Sequence, residues 1–171
     1  LWYRRQRQMC IRDRPELEYI LKDSSPKVLI YSVEFKEIAE ALLKDCDIKN
    51  SLEIEENNFS SSYESAISEN NDFTSIECTH DDLIMLMYTS GTTGHPKGAM
   101  ITHRMQFFNI VNLASTARIT DKAVQLVSLP LFHTGGMNCY ANPVLHNGGQ
   151  IILTKEFDPG KALEIINDPD Y

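Results

Sequence analysis

Residues 88–100 read YTSGTTGHPKGAM and hold three glycines, four hydroxyl-bearing residues and Lys97 within ten positions. An apolar run at 83–87 precedes them, and a helix-like segment begins near Thr102. Glycine tolerates positive φ and close approach, so a loop of this kind can turn backbone amides and hydroxyls toward one anion. Lys97 adds a mobile charge that suits phosphate oxygens. The segment therefore predicts a phosphate-binding loop between a strand and a helix, rather than a solvated surface loop.

The two common nucleotide motifs do not describe this loop. The Walker A pattern places Ser or Thr directly after its Gly-Lys pair, where the hydroxyl ligates magnesium. Here Pro96 precedes Lys97 and Gly98 follows it, so that hydroxyl is missing and Pro96 has no N–H to offer a phosphate. The Gly-x-Gly-x-x-Gly dinucleotide fingerprint does not occur either. A conventional P-loop NTPase is excluded on these grounds.

The segment TSGTTGHPKG resembles the signature loop of the adenylate-forming superfamily, which includes acyl-CoA synthetases, luciferases and the adenylation domains of peptide synthetases. Downstream, SLPLFHTGGM at 128–137 is similar to the next motif of that family, an aromatic-His pair in a Leu-Pro context. The resemblance extends over about 15–171, through ELEYILKDSSPKVLI, NPVLHNGGQIIL and FDPGKALEII. It implies an α/β fold: part of the large N-terminal domain, truncated, with a β-sheet and helical crossovers.

The resemblance also implies a chemistry for the loop. In the family a carboxylate attacks the α-phosphorus of ATP, magnesium pyrophosphate leaves, and the acyl group then forms a thioester with CoA. The loop would hold the β- and γ-phosphates and align the leaving group for in-line displacement. Thr92 and Thr93 are expected to contact phosphate directly, while Lys97 neutralises developing charge. The nucleotide-binding residues implied in this way are Thr89, Ser90, Gly91, Thr92, Thr93, Gly94, Lys97 and Gly98.

The aromatic-His pair is expected beside the acyl pocket. In the family this pair shapes access to the adenylate and does not transfer protons, which assigns that place to Phe132 and His133. Gly135 and Gly136 would permit the tight turn that lets substrate approach. No complete catalytic set and no certain metal ligand is predicted, because the family's later acidic motif, ribose-binding aspartate and catalytic lysine do not occur in this sequence. We therefore expect a chain that is a fragment of a longer ligase and is inactive alone.

The first fourteen residues differ from the rest. They hold five of the sixteen basic residues and one of the 24 acidic ones, so the remaining 157 carry 11 basic and 23 acidic residues, a net charge of −12 against −8 for the whole chain. A basic arm for nucleic acid or anionic lipid is one interpretation. We favour a non-native leader at 1–14, because LWYRRQRQMCIRDR resembles a translated sequencing adapter. The acidic remainder argues against nucleic-acid binding.

The remaining composition favours a cytoplasmic protein without an integral membrane segment. Its four cysteines, Cys10, Cys46, Cys78 and Cys139, are widely spaced and predict no disulfide framework. No run approaches the roughly 18 apolar residues that a membrane span needs. The partners expected are ATP, CoA and a fatty or otherwise hydrophobic carboxylic acid. An adenylation domain that transfers to a carrier protein and a non-catalytic nucleotide-binding remnant are the alternatives to a CoA ligase.

Secondary structure is predicted from hydrophobic periodicity and turn residues. Strands are expected at 27–31, 82–88, 123–129 and 150–153, and helices at 16–22, 32–44, 102–117 and around 137–146. The helix at 32–44 is expected to be capped by Ser32 and to carry Val33, Ile38, Ala41 and Leu42 on one apolar face. The acidic, Ser- and Asn-rich stretch 51–71 predicts a surface connection with one helical turn near 63–67.

Three histidines are interpreted structurally. His80, with Asp81 and Asp82, is expected in a solvated turn rather than a metal site, because adjacent residues at a strand entrance point to different faces. His103 is placed at a helix N-terminus. His146, before Asn147, is expected at a helix end, where an imidazolium complements the dipole.

Overall fold

A computed structural model describes residues 14–68, 75–89 and 95–168. The described residues form two compact units, the first drawn from 1–77 and 88–98, the second from 78–87 and 99–171. Most of the predicted leader at 1–14 therefore lies outside the described residues.

The first unit is built on a parallel pair of strands. Helix α1 (Arg14–Ser24) leads to strand β1 (Val28–Ser32), a 3-10 turn (Val33–Phe35), helix α2 (Lys36–Asp45) and strand β2 (Asn50–Ile54). The register runs from Val28 opposite Asn50 to Ser32 opposite Ile54. Parallel strands need a crossover, and α2 supplies it. Its Ala39 and Leu42, with Ile48, are buried and form the small core of this unit.

Two details of the predicted helix at 32–44 are wrong. A 3-10 turn occupies its start, and the Ser32 hydroxyl donates to the Glu34 carboxylate (3.2 Å) instead of capping a backbone N–H. The buried face is also rotated, because Ala39 and Leu42 are buried while Val33 and Ile38 remain 39% and 43% exposed. The strand predicted at 27–31 is shifted by one residue, and the helix predicted at 16–22 is longer at both ends.

The stretch predicted as a surface connection begins with regular structure. Residues 51–54 belong to β2, and helix α3 (Ser62–Ser68) replaces the single predicted turn. The Ser62 hydroxyl accepts a hydrogen bond from the Glu53 N–H (2.7 Å), which ties the start of α3 to β2. Leu52 and Ile54 alternate with Ser51 and Glu53, a strand pattern that the acidic surroundings obscured. Residues 69–71 lie outside the described part.

The second unit repeats the parallel arrangement. Strands β5 (Val124–Val127) and β6 (Gln150–Leu153) pair from Val124 opposite Gln150 to Val127 opposite Leu153. The crossover passes through a π-helix (Gly135–Ala141) and helix α5 (Asn142–His146). Helix α6 (Pro159–Asn167) follows. Asp158 caps its N-terminus, because the Asp158 carboxylate accepts a hydrogen bond from the Lys161 N–H. The buried apolar residues here include Ile110, Val127, Ala141, Pro143 and Val144.

Strands β3 (Leu83–Thr89) and β4 (Lys97–Thr102) are hydrogen-bonded neighbours in a third two-stranded sheet. Helix α4 (His103–Ala117) follows β4 directly, because the Thr102 hydroxyl accepts from the Met105 N–H (3.3 Å) and caps it. It ends at Arg118, whose φ of 54° is left-handed. The predicted strand and helix are confirmed to within one residue, whereas β4 was not predicted.

Candidate functional site

The two ends of the signature loop are described, while its centre is not. Ser90, Gly91, Thr92, Thr93 and Gly94 lie outside the described residues, so the phosphate contacts expected of the two threonines stay predictions. Thr89 is the last residue of β3, Lys97 is the first of β4, and both side chains are exposed. The loop therefore runs from the end of one strand to the start of its neighbour, with the Lys97 ammonium free to meet an anion.

Gly98 lies in close approach to the ring of Tyr88. A Cβ at Gly98 would lie 3.1 Å from Cζ and 3.3 Å from Cε1 of the Tyr88 ring. The ring thus lies directly against the backbone of the second strand. A contribution of Gly98 to phosphate binding, which the family resemblance implies, is a separate matter and stays a prediction.

Helix α1 contacts Tyr88, which immediately precedes the loop, and His95, which lies near the loop's second end. The Tyr88 hydroxyl donates to the Asp23 carboxylate at 2.5 Å, and the rings of Tyr19 and His95 stack with centroids 4.9 Å apart and planes 23° apart. Burial, with the hydrogen bond to Asp23 adding to it, raises the pKa of Tyr88 to about 12. The phenol is therefore a neutral hydrogen-bond donor throughout the physiological pH range.

The second predicted segment surrounds His133. The N–H of Gly135 donates to its Nδ1 at 3.1 Å, and its own backbone N–H and C=O bond to Pro130 and Met137. A ring nitrogen that accepts carries no proton, so the proton of the neutral imidazole lies on Nε2. Phe132, 61% exposed, stands beside it. The pair can therefore present an aromatic face and one N–H donor to a ligand.

Gly136 confirms the tight turn expected of the Gly-Gly pair. A Cβ on Gly136 would lie 2.4 Å from the carbonyl oxygen of Pro130 and 2.6 Å from that of Leu129, distances that no side chain tolerates. Gly135 is less constrained, since its Cβ would meet His133 Nδ1 at 3.2 Å. The following turns are π-helical, a geometry that is frequent at functional sites.

A buried polar residue, Asn138, holds the segment around His133 in place through hydrogen bonds. Asn138 is 5% exposed, and its amide nitrogen lies 3.1 Å from Thr134 Oγ1 and 3.3 Å from Met87 Sδ. Its side-chain oxygen accepts from Asn142 (3.1 Å), and its backbone oxygen accepts from the Asn109 amide (2.9 Å). The π-helix is thereby bonded to α4 and α5 and contacts the end of β3.

The three histidines treated as structural share one cavity. His80, His103 and His146 line an open space of about 570 Å³ in the second unit, with Gln106 and apolar residues of α4 and α5. The turn predicted at His80 is confirmed: the Thr79 N–H and hydroxyl both bond to Asp82 and hold the pKa of that carboxyl below its usual range. Within 14–68, 75–89 and 95–168, no cluster of three or more His, Cys, Asp or Glu could hold a metal ion.

Comparison with known proteins places the chain in a family. The sequence profile of the AMP-binding enzymes matches residues 13–168. The chain belongs to the AMP-binding enzyme family. The predicted membership of the adenylate-forming superfamily is thus confirmed.

Two curated relatives show how much of an AMP-binding enzyme this chain represents. It is 36% identical over 152 residues to a feruloyl-CoA synthase of Amycolatopsis, covering 89% of this chain and 29% of the relative. It is 31% identical over 154 residues to a long-chain-fatty-acid–CoA ligase of Mycobacterium tuberculosis, covering 89% and 30%. The chain thus spans less than a third of the length of these relatives.

Solved structures of AMP-binding enzymes have the same fold. The ATP-bound MatB of Rhodopseudomonas palustris superposes with a TM-score of 0.79 at 29% identity, covering 91% of this chain and 31% of MatB. The inhibitor-bound N-terminal domain of FACL13 from M. tuberculosis gives 0.76 at 29% identity, covering 91% and 38%. The α/β fold class, and its assignment to the N-terminal domain of the family, is confirmed. Among the described residues no helix combines the length and the apolar character of a membrane span.

Sequence reasoning missed the residues that hold the signature loop and the segment around His133 in place. Asn138 is one asparagine among many in the sequence, and only its position one turn after Thr134 hinted at a helical bond. The partners Asp23 and Tyr88 lie 65 positions apart, so no local pattern connects them.

Proposed function

We propose that this chain forms the pyrophosphate-binding part of an ATP-dependent acyl-CoA ligase. The observation that carries the proposal is the TSGTTGHPKG sequence set between β3 and β4, with the exposed Lys97 at the start of β4. The named activities of the relatives, a feruloyl-CoA synthase and a long-chain-fatty-acid–CoA ligase, support CoA as acceptor and a hydrophobic carboxylic acid as substrate.

The reaction proposed for the ligase has two steps. A carboxylate oxygen of the acid attacks the α-phosphorus of ATP, the bond from that phosphorus to the bridging oxygen breaks, and pyrophosphate leaves. The thiol sulfur of CoA then attacks the acyl carbonyl carbon, and the bond from that carbon to the AMP oxygen breaks, so that AMP leaves. The thiol proton passes to solvent. Magnesium enters with MgATP as part of the substrate, and no step is assigned to a protein-bound ion.

Each described residue of the site has a role in this scheme. Lys97 places a positive charge near the leaving pyrophosphate. This charge stabilises the negative charge that develops on the pyrophosphate oxygens in the transition state. Thr89 offers a hydroxyl at the other end of the loop. Phe132 and the Nε2–H of His133 border the acyl group and orient the adenylate.

Titration of the 171-residue chain with magnesium pyrophosphate tests the proposal. A charge-assisted phosphate contact contributes roughly 1.5–3 kcal/mol, so Lys97→Ala should weaken binding by about tenfold or more. Lys122→Ala is the matched control, since Lys122 is also an exposed lysine, in the turn before β5. Equal affinity of wild type and Lys97→Ala would contradict the assignment.

A second measurement addresses activity. The 171-residue chain should bind pyrophosphate weakly and should not exchange labelled pyrophosphate into ATP, because the family's later acidic motif and catalytic lysine are not in this sequence. Exchange catalysed by the purified chain would show that this sequence carries a complete site.

A further inference from the structure

We propose that Tyr19 and Asp23 of helix α1 are positioning residues for the pyrophosphate loop, acting through Tyr88, which immediately precedes the loop, and His95, which lies in the loop two residues before Lys97. The inference rests on the proposed function, since it assigns the support of that same loop. Neither residue belongs to a segment that suggested ligand binding from sequence.

One face of α1 carries both contacts. Tyr19 and Asp23 are four positions apart, which places them on the same face of the helix, one turn from each other. The Tyr19 ring stacks on His95 at 4.9 Å, and the Asp23 carboxylate accepts from the Tyr88 hydroxyl at 2.5 Å. A hydrogen bond to a charged acceptor is about twice as strong as a neutral one.

Holding Tyr88 and His95 with one helix sets the separation of the two described ends of the loop. Residues four apart are displaced by about 6 Å along a helix axis. Tyr88 immediately precedes Thr89, and His95 lies two residues before Lys97. The same two contacts therefore determine where the Thr89 hydroxyl and the Lys97 ammonium stand relative to each other.

The Tyr88 contact is confined from both sides. Asp23 binds the hydroxyl, while the backbone of Gly98 lies against the ring so closely that an added Cβ would be 3.1 Å from Cζ. The pKa of Tyr88, raised to about 12 by burial and by Asp23, keeps the phenol protonated and donating at any pH at which an enzyme works.

Helix α1 is itself attached to the body of the first unit. Arg14 forms an ion pair with Asp45 at the end of α2, and the Cys46 thiol lies 3.9 Å from the carbonyl oxygen of Glu18. The two contacts Tyr19–His95 and Asp23–Tyr88, together called the clamp, thus link the loop ends to the α2 crossover. Since Arg14 and His95 are exposed, the ion pair and the ring stack each contribute little to the stability of the whole chain, and loss of the stack should act locally.

Pyrophosphate affinity is the first readout. Losing an aromatic stack or a single charged hydrogen bond at the clamp should raise the dissociation constant for magnesium pyrophosphate roughly fivefold in Tyr19→Ala and Asp23→Ala. Tyr19→Phe keeps the stack and should bind as wild type does. Glu18→Gln is the matched control on α1, since the Glu18 carboxylate meets Lys22 of the same helix.

Amide hydrogen exchange followed by NMR is the second readout and does not depend on ligand. Exchange at Thr89 and Lys97 should accelerate in Tyr19→Ala and Asp23→Ala, while exchange at Leu29 and Ile30 of β1 stays at the wild-type rate. Asp23→Asn, which keeps the shape and removes the charge, replaces Asp23→Ala if that variant fails to fold.

The two readouts separate the possible failures. Unchanged exchange at Thr89 and Lys97 overturns the clamp whatever the affinities are, and accelerated exchange with unchanged affinity overturns its role in positioning. If the wild-type chain does not bind pyrophosphate, the proposed function fails for this chain, and the exchange rates alone decide whether α1 holds the loop ends.

Discussion

The signature loop (89–98) and the segment that carries Phe132 and His133 (128–137, here the Phe-His segment) differ in the contacts that hold them in place. The loop's flanks are held by a stacked ring pair and a phenol–carboxylate bond near the surface of the first unit. The Phe-His segment rests on a glycine with no room for a Cβ and on the buried Asn138 network of the second unit. A segment supported by buried contacts is fixed when the chain folds, whereas surface contacts can be lost without unfolding it. Mutations should therefore lower stability at the Phe-His segment and affect mainly local order at the loop.

Gly136→Ala should have the largest effect. The added methyl would overlap the carbonyl oxygens of Pro130 and Leu129 at 2.4 and 2.6 Å, and backbone atoms cannot move aside as a side chain can. We expect a loss of about 3 kcal/mol in the free energy of unfolding, measured by urea denaturation. Gly135→Ala, which meets only His133 and Leu129 side chains, is the control and should cost much less. Similar losses for both variants would refute the assigned close approach.

Asn138→Ala should come next. The substitution removes the side-chain oxygen that accepts from Asn142 and the amide that bonds to Thr134, in a buried site, at a cost of about 2 kcal/mol. Asn167→Ala removes an exposed asparagine with one helical bond to Leu163 and serves as the matched variant. If urea denaturation gives equal losses for the two, Asn138 is not the support that its contacts indicate.

The alkaline limit of stability tests the Tyr88 contact. Since the folded-state pKa of Tyr88, about 12, lies above the ordinary value of 10.0, its contribution is complete below pH 10 and is lost as the pH rises toward 12. The free energy of unfolding should therefore fall more steeply between pH 10 and 12 for wild type than for Tyr88→Phe. Parallel pH profiles would show that the phenol is not held protonated by the fold.

The smallest effect is expected at an exposed ion pair. Arg104 meets Asp81 at 3.0 Å with both side chains more than half exposed. Exposed pairs contribute from nothing to about 1 kcal/mol, so Arg104→Gln should change the free energy of unfolding by less than roughly 0.5 kcal/mol. A larger loss in low-salt urea titrations would mean that the turn before β3 matters as much as the buried network.

The same contrast describes what the sequence could predict. The strand before the loop, helix α4 and β6 were predictable because apolar periodicity and turn residues are local signals. The π-helix was not, since its wider hydrogen-bond ladder leaves no mark in a 3.6-residue period. Strand β4 was hidden because its first two residues, Lys97 and Gly98, also complete the loop signature.

In the candidate site, too, some features could be predicted from local sequence and others could not. The chemistry of Lys97, Phe132 and His133 could be proposed from residue types and a family resemblance. Their support by Tyr19, Asp23 and Asn138 could not, because it depends on side chains that only the tertiary structure brings together. Ser90 to Gly94 remain sequence-based assignments.

The order of the strands has a consequence for synthesis. Each strand pairing that the structure describes joins two strands that follow one another in the chain: β1 with β2, β3 with β4, and β5 with β6. Partners such as Val28 and Asn50 are separated by 22 positions, so little loop-closure entropy opposes their meeting. On a ribosome, the β1–α2–β2 unit can pair as soon as Ile54 has emerged, before β5 and β6 have been translated.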